Sequence, residues 1–143
     1  MTTPILRIDA DQTTVGARAL GIGWSTVARD YLRRDPPSPL DLENAIAAIE
    51  DEIALAARSS IAAERVVSAT QETVRDIALA AGIAPGDEMV LTIGAVENAF
   101  ERLTRPPGIP GDRRFAATLV ILREVMHHLR IDAVVVTAAP RPA

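Results

Sequence analysis

The chain has 143 residues, 48% of them hydrophobic and 24% charged, with a formal charge of −4; that suits one domain with its own core and excludes a disordered chain. Cysteine and lysine are absent, which excludes disulfides, thiolate catalysis, zinc–thiolate sites, a P-loop lysine and a Schiff base. The negative charge and 3% aromatic content argue against nucleic acid, and no apolar run reaches the roughly 20 residues of a bilayer span.

Met1-Thr2-Thr3-Pro4 lacks the basic and apolar regions of a signal peptide, so a cytoplasmic location is the default expectation. The first predicted elements are three short strands. Ile5 to Ile8 is the first, Thr13 to Val15 the second and Arg18 to Ile22 the third. The turns between them are Asp9-Ala10-Asp11-Gln12 and Gly16-Ala17, giving a small antiparallel meander.

A helix follows over 24–32, with Ser25 as its N-cap and Val27, Ala28, Tyr31 and Leu32 on one side. Arg33-Arg34-Asp35-Pro36-Pro37 stops it. Ser38 caps the next helix, with Pro39 first and Asp41 and Glu43 at its positive end. Leu42, Ile46, Ile49, Ile53 and Leu55 form its buried stripe up to about Arg58, and Ser59-Ser60 marks the exit. Glu43, Glu50, Asp51 and Glu52 read as its solvated face.

Ala63-Glu64-Arg65 leads into a strand at Val66-Val67, then Ser68-Ala69-Thr70 and a helix over 71–81 with Gly82 as C-terminal cap. A loop over 83–88 and an extended Met89-Val90-Leu91 come next. Thr92 caps a helix with Val96, Ala99, Phe100 and Leu103 on one side. A rigid proline- and glycine-rich loop over 105–111 delivers the chain to its most apolar segment. There Phe115, Leu119, Leu122, Val125, Met126 and Leu129 recur at helical spacing, widened by Ala116, Ala117, Val120 and Ile121, so the helix must be sandwiched. Arg130 puts a cation at its negative end, and Ala133 to Val136 is a β-branched run that reads as a strand covered on both faces. Helix followed by buried strand defines a single α/β domain over 1–143 with a partly parallel sheet.

Few residues offer chemistry. His127 and His128 are adjacent, and neighbouring helical positions point about 100° apart, so a shared metal is disfavoured against one ring at the core edge and one in solvent. Asp9 and Asp11 are either turn acids or oxygen ligands for a divalent cation. Ser68, Thr70 and Thr73 lie where a strand gives way to a helix, a place that either caps the helix or holds an anion on backbone amides.

The order of these pieces resembles the second, C-terminal half of the Ppx/GppA phosphatase family, the exopolyphosphatases and guanosine pentaphosphate phosphohydrolases. The segments that carry the resemblance are Ala19-Leu20-Gly21-Ile22-Gly23 running on to Tyr31-Leu32, Asp35-Pro36-Pro37-Ser38-Pro39 with its helix, Glu64-Arg65-Val66-Val67, Leu91-Thr92 to Leu103, and Ala116 to Val136. The resemblance implies an actin-like ATPase half of ribonuclease-H-like fold: one mixed sheet of about five strands with helices packed on it.

It also implies a site between two phosphate loops, and there the sequence departs. Where the family has glycines, then serine, threonine and a catalytic glutamate, this chain has Asp9-Ala10-Asp11-Gln12-Thr13-Thr14, with Thr14 at the glutamate's position. The second loop, two glycines and a threonine in the family, reads Ser68-Ala69-Thr70. Glycines let a backbone wrap phosphate, whereas Asp9 and Asp11 repel it. The family's first half has no counterpart in the chain, which implies an uncovered face. The reading is a pseudoenzyme: no catalytic residue, no metal, a phosphate-binding remnant in both loops, and a role in binding or assembly as a homodimer or with a protein partner. The alternative is a phosphohydrolase of polyphosphate or guanosine pentaphosphate using Mg²⁺ on Asp9 and Asp11, its site completed by dimerisation or a partner chain.

Overall fold

A computed structural model describes residues 3–56, 65–105, 108–109 and 111–138. The meander forms as its turns dictate. β1 (Leu6–Ile8), β2 (Thr13–Val15) and β3 (Arg18–Leu20) pair antiparallel, with Gly16 taking the positive φ that the tight second turn requires. β3 stops at Leu20, two residues short of the predicted Ile22. Gly21 and Ile22 leave the sheet because Thr13 Oγ1 donates to the Ile22 carbonyl at 2.9 Å.

Helix α1 (Trp24–Asp30) is capped by Gly23, not by Ser25. Its first amides are taken by another loop, described below. Helix α2 (Pro39–Ala56) opens on a capping box: Ser38 Oγ accepts from the Asp41 amide at 3.1 Å, and the Asp41 carboxylate accepts from the Ser38 amide at 3.2 Å. Its buried stripe is Leu42, Ala45, Ile49 and Ile53. Leu55 departs from the predicted stripe and is 54% exposed. It follows Ile53 by two positions, which is the far side of a helix. The predicted ends at Arg58, Ser59 and Ser60, and the approach through Ala63 and Glu64, lie outside the described residues.

β4 (Val66–Ala69) and β6 (Ala133–Thr137) pair parallel, and β5 (Glu88–Thr92) pairs antiparallel with β6. Between them stand α3 (Glu72–Ala80), closed by Gly82 at positive φ, and α4 (Ile93–Glu101), whose cap Thr92 accepts from the Ala95 amide. The result is two three-stranded sheets and not one mixed sheet of five. Among the described residues a single parallel bridge, Ile5 to Ser68, joins them. The ladder cannot grow to either side. Pro4 has no amide to donate, though its carbonyl accepts from Ser68 N at 2.9 Å, and at Ile8 the side chain of Gln71 takes the place of a strand.

Helix α5 (Arg113–His128) is the centre of the molecule. Asp112 caps it by accepting from the Phe115 amide at 2.9 Å. It touches α1, α2, α3, α4 and β1, and every residue from 115 to 122 is buried. The sandwiching that its composition demanded is what the fold provides. It ends before Arg130, which adopts φ 57°, and Ile131 N donates to the Met126 carbonyl at 2.8 Å, so the predicted terminal cation sits past the helix in a left-handed cap. In β6 only Val134 and Val136 are fully buried, so the strand alternates and one face stays partly open. No described helix is long and apolar enough to cross a membrane.

Candidate functional site: two loops closed on one glutamine

The loop after β1 and the loop after β4 meet, and Gln71 is the residue that joins them. The Ile8 amide donates to Gln71 Oε1 at 2.6 Å, and Gln71 Nε2 donates back to the Ile8 carbonyl at 3.2 Å and to Asp9 Oδ1 at 2.9 Å. Arg7 holds the same carboxylate from the other side, with Nη2 3.0 Å from Oδ1 and Nε 3.3 Å from Oδ2. The Asp9 carboxylate is therefore spent on Arg7 and Gln71.

The rest of the first loop faces inward through its carbonyls. The Asp9 amide donates to the Gln12 carbonyl at 2.9 Å. The Asp9 and Ala10 carbonyls accept from the amides of Trp24 and Ser25, each at 3.0 Å. The first amides of α1, which a helix leaves without partners, are thus satisfied by the loop. Gly23 makes this approach possible, since a Cβ there would lie 2.2 Å from the Asp9 carbonyl oxygen. Arg114 stacks over Trp24, 4.5 Å from the ring centroid.

The other predicted site residues fall as follows. Thr13 is buried and its hydroxyl is used on Ile22; Thr14 is a mid-strand residue paired with Arg7 and Ala19. Ser68 is in β4 with its hydroxyl 3.5 Å from the Pro4 carbonyl, Ala69 points into the core, and Thr70 is half-buried between strand and helix. Asp11 and Gln12 are exposed. Among the described residues, Asp9 and Asp11 belong to no group of metal-competent side chains. The structure brings Asp9 to the second loop and leaves Asp11 outside it.

Sequence reasoning missed Gln71, Gly23 and Arg7. The one local signal was at Gln71, which occupies the N-cap of α3 without capping it; glutamine is not a usual N-cap, so its side chain had to be wanted elsewhere.

His127 and His128 also depart from expectation. Both side chains are 43% exposed, where one was predicted at the core edge. Each sits on its own carboxylate: His127 Nε2 donates to Glu97 Oε1, and His128 Nε2 lies 3.4 Å from Glu124 Oε1. Burial pushes the Glu97 carboxyl up, but hydrogen bonds from His127 and Arg123 outweigh it and hold it below the ordinary glutamate value of 4.5. Nor is the acidic side of α2 uniformly solvated, since Glu52 is half-buried against Gly21.

These observations define an α/β domain in which, among the described residues, α1, α2, α3 and α4 gather around α5 and two small sheets share one bridge. That fold is the one found in structures of the Ppx/GppA group. An Aquifex aeolicus Ppx/GppA family member superposes with a TM-score of 0.70 at 17% identity, over 95% of this chain and 52% of that one. An exopolyphosphatase-like protein gives 0.72 at 17%, over 96% and 55%, and an exopolyphosphatase from Cytophaga hutchinsonii gives 0.66 at 13%, over 95% and 53%. The chain thus spans about half the length of the solved structures it matches. No protein-family model and no curated protein matches the sequence.

Proposed function

We propose that the chain is a degenerate Ppx/GppA-like domain, the counterpart of that family's second half, which binds or assembles and does not hydrolyse phosphoric anhydrides. The likeness to the Ppx/GppA structures supports the family part of the reading. An antiparallel meander bridged to a parallel β4–β6 pair supports the ribonuclease-H-like part.

One observation carries the non-catalytic part. The two loops that would embrace a phosphoryl group are tied together by Gln71, with the Asp9 carboxylate at the knot. An anion there meets a negative charge and the carbonyl side of the loop, whereas phosphate needs convergent amides. Thr14, at the family's glutamate position, has no carboxylate to activate water. The chain, purified and supplied with Mg²⁺ and either polyphosphate or guanosine pentaphosphate, releases no phosphate on this reading. Turnover that vanishes in Asp11→Ala would overturn it in favour of a metal-assisted hydrolase.

Assembly is the other half of the proposal. Ile5, on the bridge just before β1, lies in register with Ser68, Val135 and Val90 of β4, β6 and β5, so their side chains share a face. Ile5, Val66 and Val90 on that face are 54%, 43% and 46% exposed. The described helices pack on the opposite face, that of Val134 and Val136. An apolar strip of this kind favours a second copy or a protein partner. With no spanning helix among the described residues, the setting proposed is the cytoplasm. Light scattering tests the assembly; a clean monomer at micromolar concentration counts against it.

A further inference from the structure

A second cluster, remote in sequence from both loops, lies where α2 crosses α5. Arg123 is its hub. Its Nε donates to Glu97 at 2.8 Å and its Nη1 to Glu124 Oε2 at 2.7 Å, and its guanidinium lies 4.1 Å from the centroid of the Phe100 ring. Those three contacts commit it. Glu124 is the unusual member, a carboxylate only 4% exposed on the most buried helix of the fold. Burying a carboxylate costs several kcal/mol unless both oxygens are served. Arg123 serves Oε2. Among the described residues Oε1 has only His128 Nε2, at 3.4 Å, longer than a good hydrogen bond.

Glu50 of α2 completes the group. One ligand-competent atom each from Glu50, Glu124 and His128 lies within 4.8 Å of the other two. Among the described residues, no arginine pairs with Glu50. Two carboxylates and one imidazole thus converge, while Arg123 occupies only the other oxygen of Glu124.

We propose that Glu50, Glu124 and His128 form a binding site for a first-row divalent transition ion, with zinc the best fit. Two carboxylate oxygens and one imidazole nitrogen suit zinc, while magnesium and calcium prefer oxygen throughout. Around tetrahedral zinc, ligand atoms stand roughly 3.3 Å apart. The His128–Glu124 separation of 3.4 Å already has that value. Glu50, exposed and on a flexible stem, closes the remaining distance. Glu124 and His128 are four apart on α5, so they share a helix face, which the adjacent pair His127–His128 does not. Arg123 on Oε2 orients the buried ligand from behind. The ion would clip α2 to α5, and three protein ligands leave a fourth position open. The site stands apart from the phosphatase-like reading and does not depend on it.

The test is calorimetric titration of the tag-free, chelator-stripped chain with Zn²⁺, repeated with Mg²⁺, and visible absorption of the Co²⁺ form. The expected result is one Zn²⁺ per chain, a Co²⁺ spectrum of low coordination, no Mg²⁺ binding, and a higher unfolding midpoint with Zn²⁺. Glu50→Gln and His128→Gln each weaken binding by more than the roughly 10–100-fold that an outer-shell partner costs, whereas His127→Gln leaves it unchanged. Glu124→Gln touches the core, so the two exposed ligands carry the test, with circular dichroism confirming that each variant is folded. Absence of stoichiometric binding overturns the proposal. So does affinity that survives both Glu50→Gln and His128→Gln, or that falls equally in His127→Gln, which would mean chelation by the histidine pair.

Discussion

Gln71 and Ile8, 63 positions apart in the chain, pair through a side-chain amide as two strands pair through their backbones. The amide supplies one acceptor and one donor, and a third bond reaches Asp9. Gln71→Ala strands the Ile8 amide and carbonyl in a part-buried setting and leaves the Asp9 carboxylate to Arg7. The variant should lose about 2 kcal/mol of stability in urea unfolding, with an unchanged slope. Gln71→Glu keeps the acceptor for Ile8 N but sets a second carboxylate against Asp9, so it should be no more stable than the alanine variant at neutral pH.

Gly23 and Gly94 should respond to alanine in opposite directions. At Gly23 the backbone is extended, φ −133°, so any residue fits the angle and the cost is one of space. The new Cβ would meet backbone oxygens of Asp9 and Ala10 at 2.2 and 2.4 Å. The loop must lift off α1 and surrender the bonds from Trp24 and Ser25, at about 3 kcal/mol. At Gly94 in α4 an added methyl group would have nothing within 4 Å, so alanine there gains helix propensity, roughly 0.5–1 kcal/mol. Thermal unfolding of the two single variants reads both signs.

Glu97 gives the molecule an acid limb. Its folded carboxyl titrates below the ordinary value of 4.5, first against burial and then through the bonds from His127 and Arg123. A depressed carboxyl contributes stability that is complete above the unfolded value and is lost as the pH falls through the folded one. Melting temperatures taken downward from about pH 5 to about pH 3 should therefore fall more steeply in the parent chain than in Glu97→Gln. Equal slopes would remove Glu97 from the account.

What the sequence disclosed was whatever is local. Two N-caps were legible, at Ser38 and Thr92, because their partners lie three residues on. The meander and α5 were legible because turn chemistry and apolar spacing act within a few residues. The site was less so. Asp9 and Thr70 were placed on the two relevant loops while Ser68 belongs to β4, and Gln71 answers to a strand 63 residues away, with nothing nearby to announce it beyond its failure to cap α3. Glu124 was passed over for the same reason, since its burial depends on Arg123 turning back and on α2 lying alongside. The single mixed sheet failed at Pro4, which has no amide to extend the bridge, and at Ile8, where the Gln71 side chain stands in for a strand.

Helix α5 is enclosed on every side from 115 to 122. No flank of that rod is at liberty to drift, because any altered volume there must be answered by α1, α2, α3 or α4. The outer surfaces of those four helices carry no such obligation. Substitution on the periphery should therefore be tolerated where the same change along the axle is not.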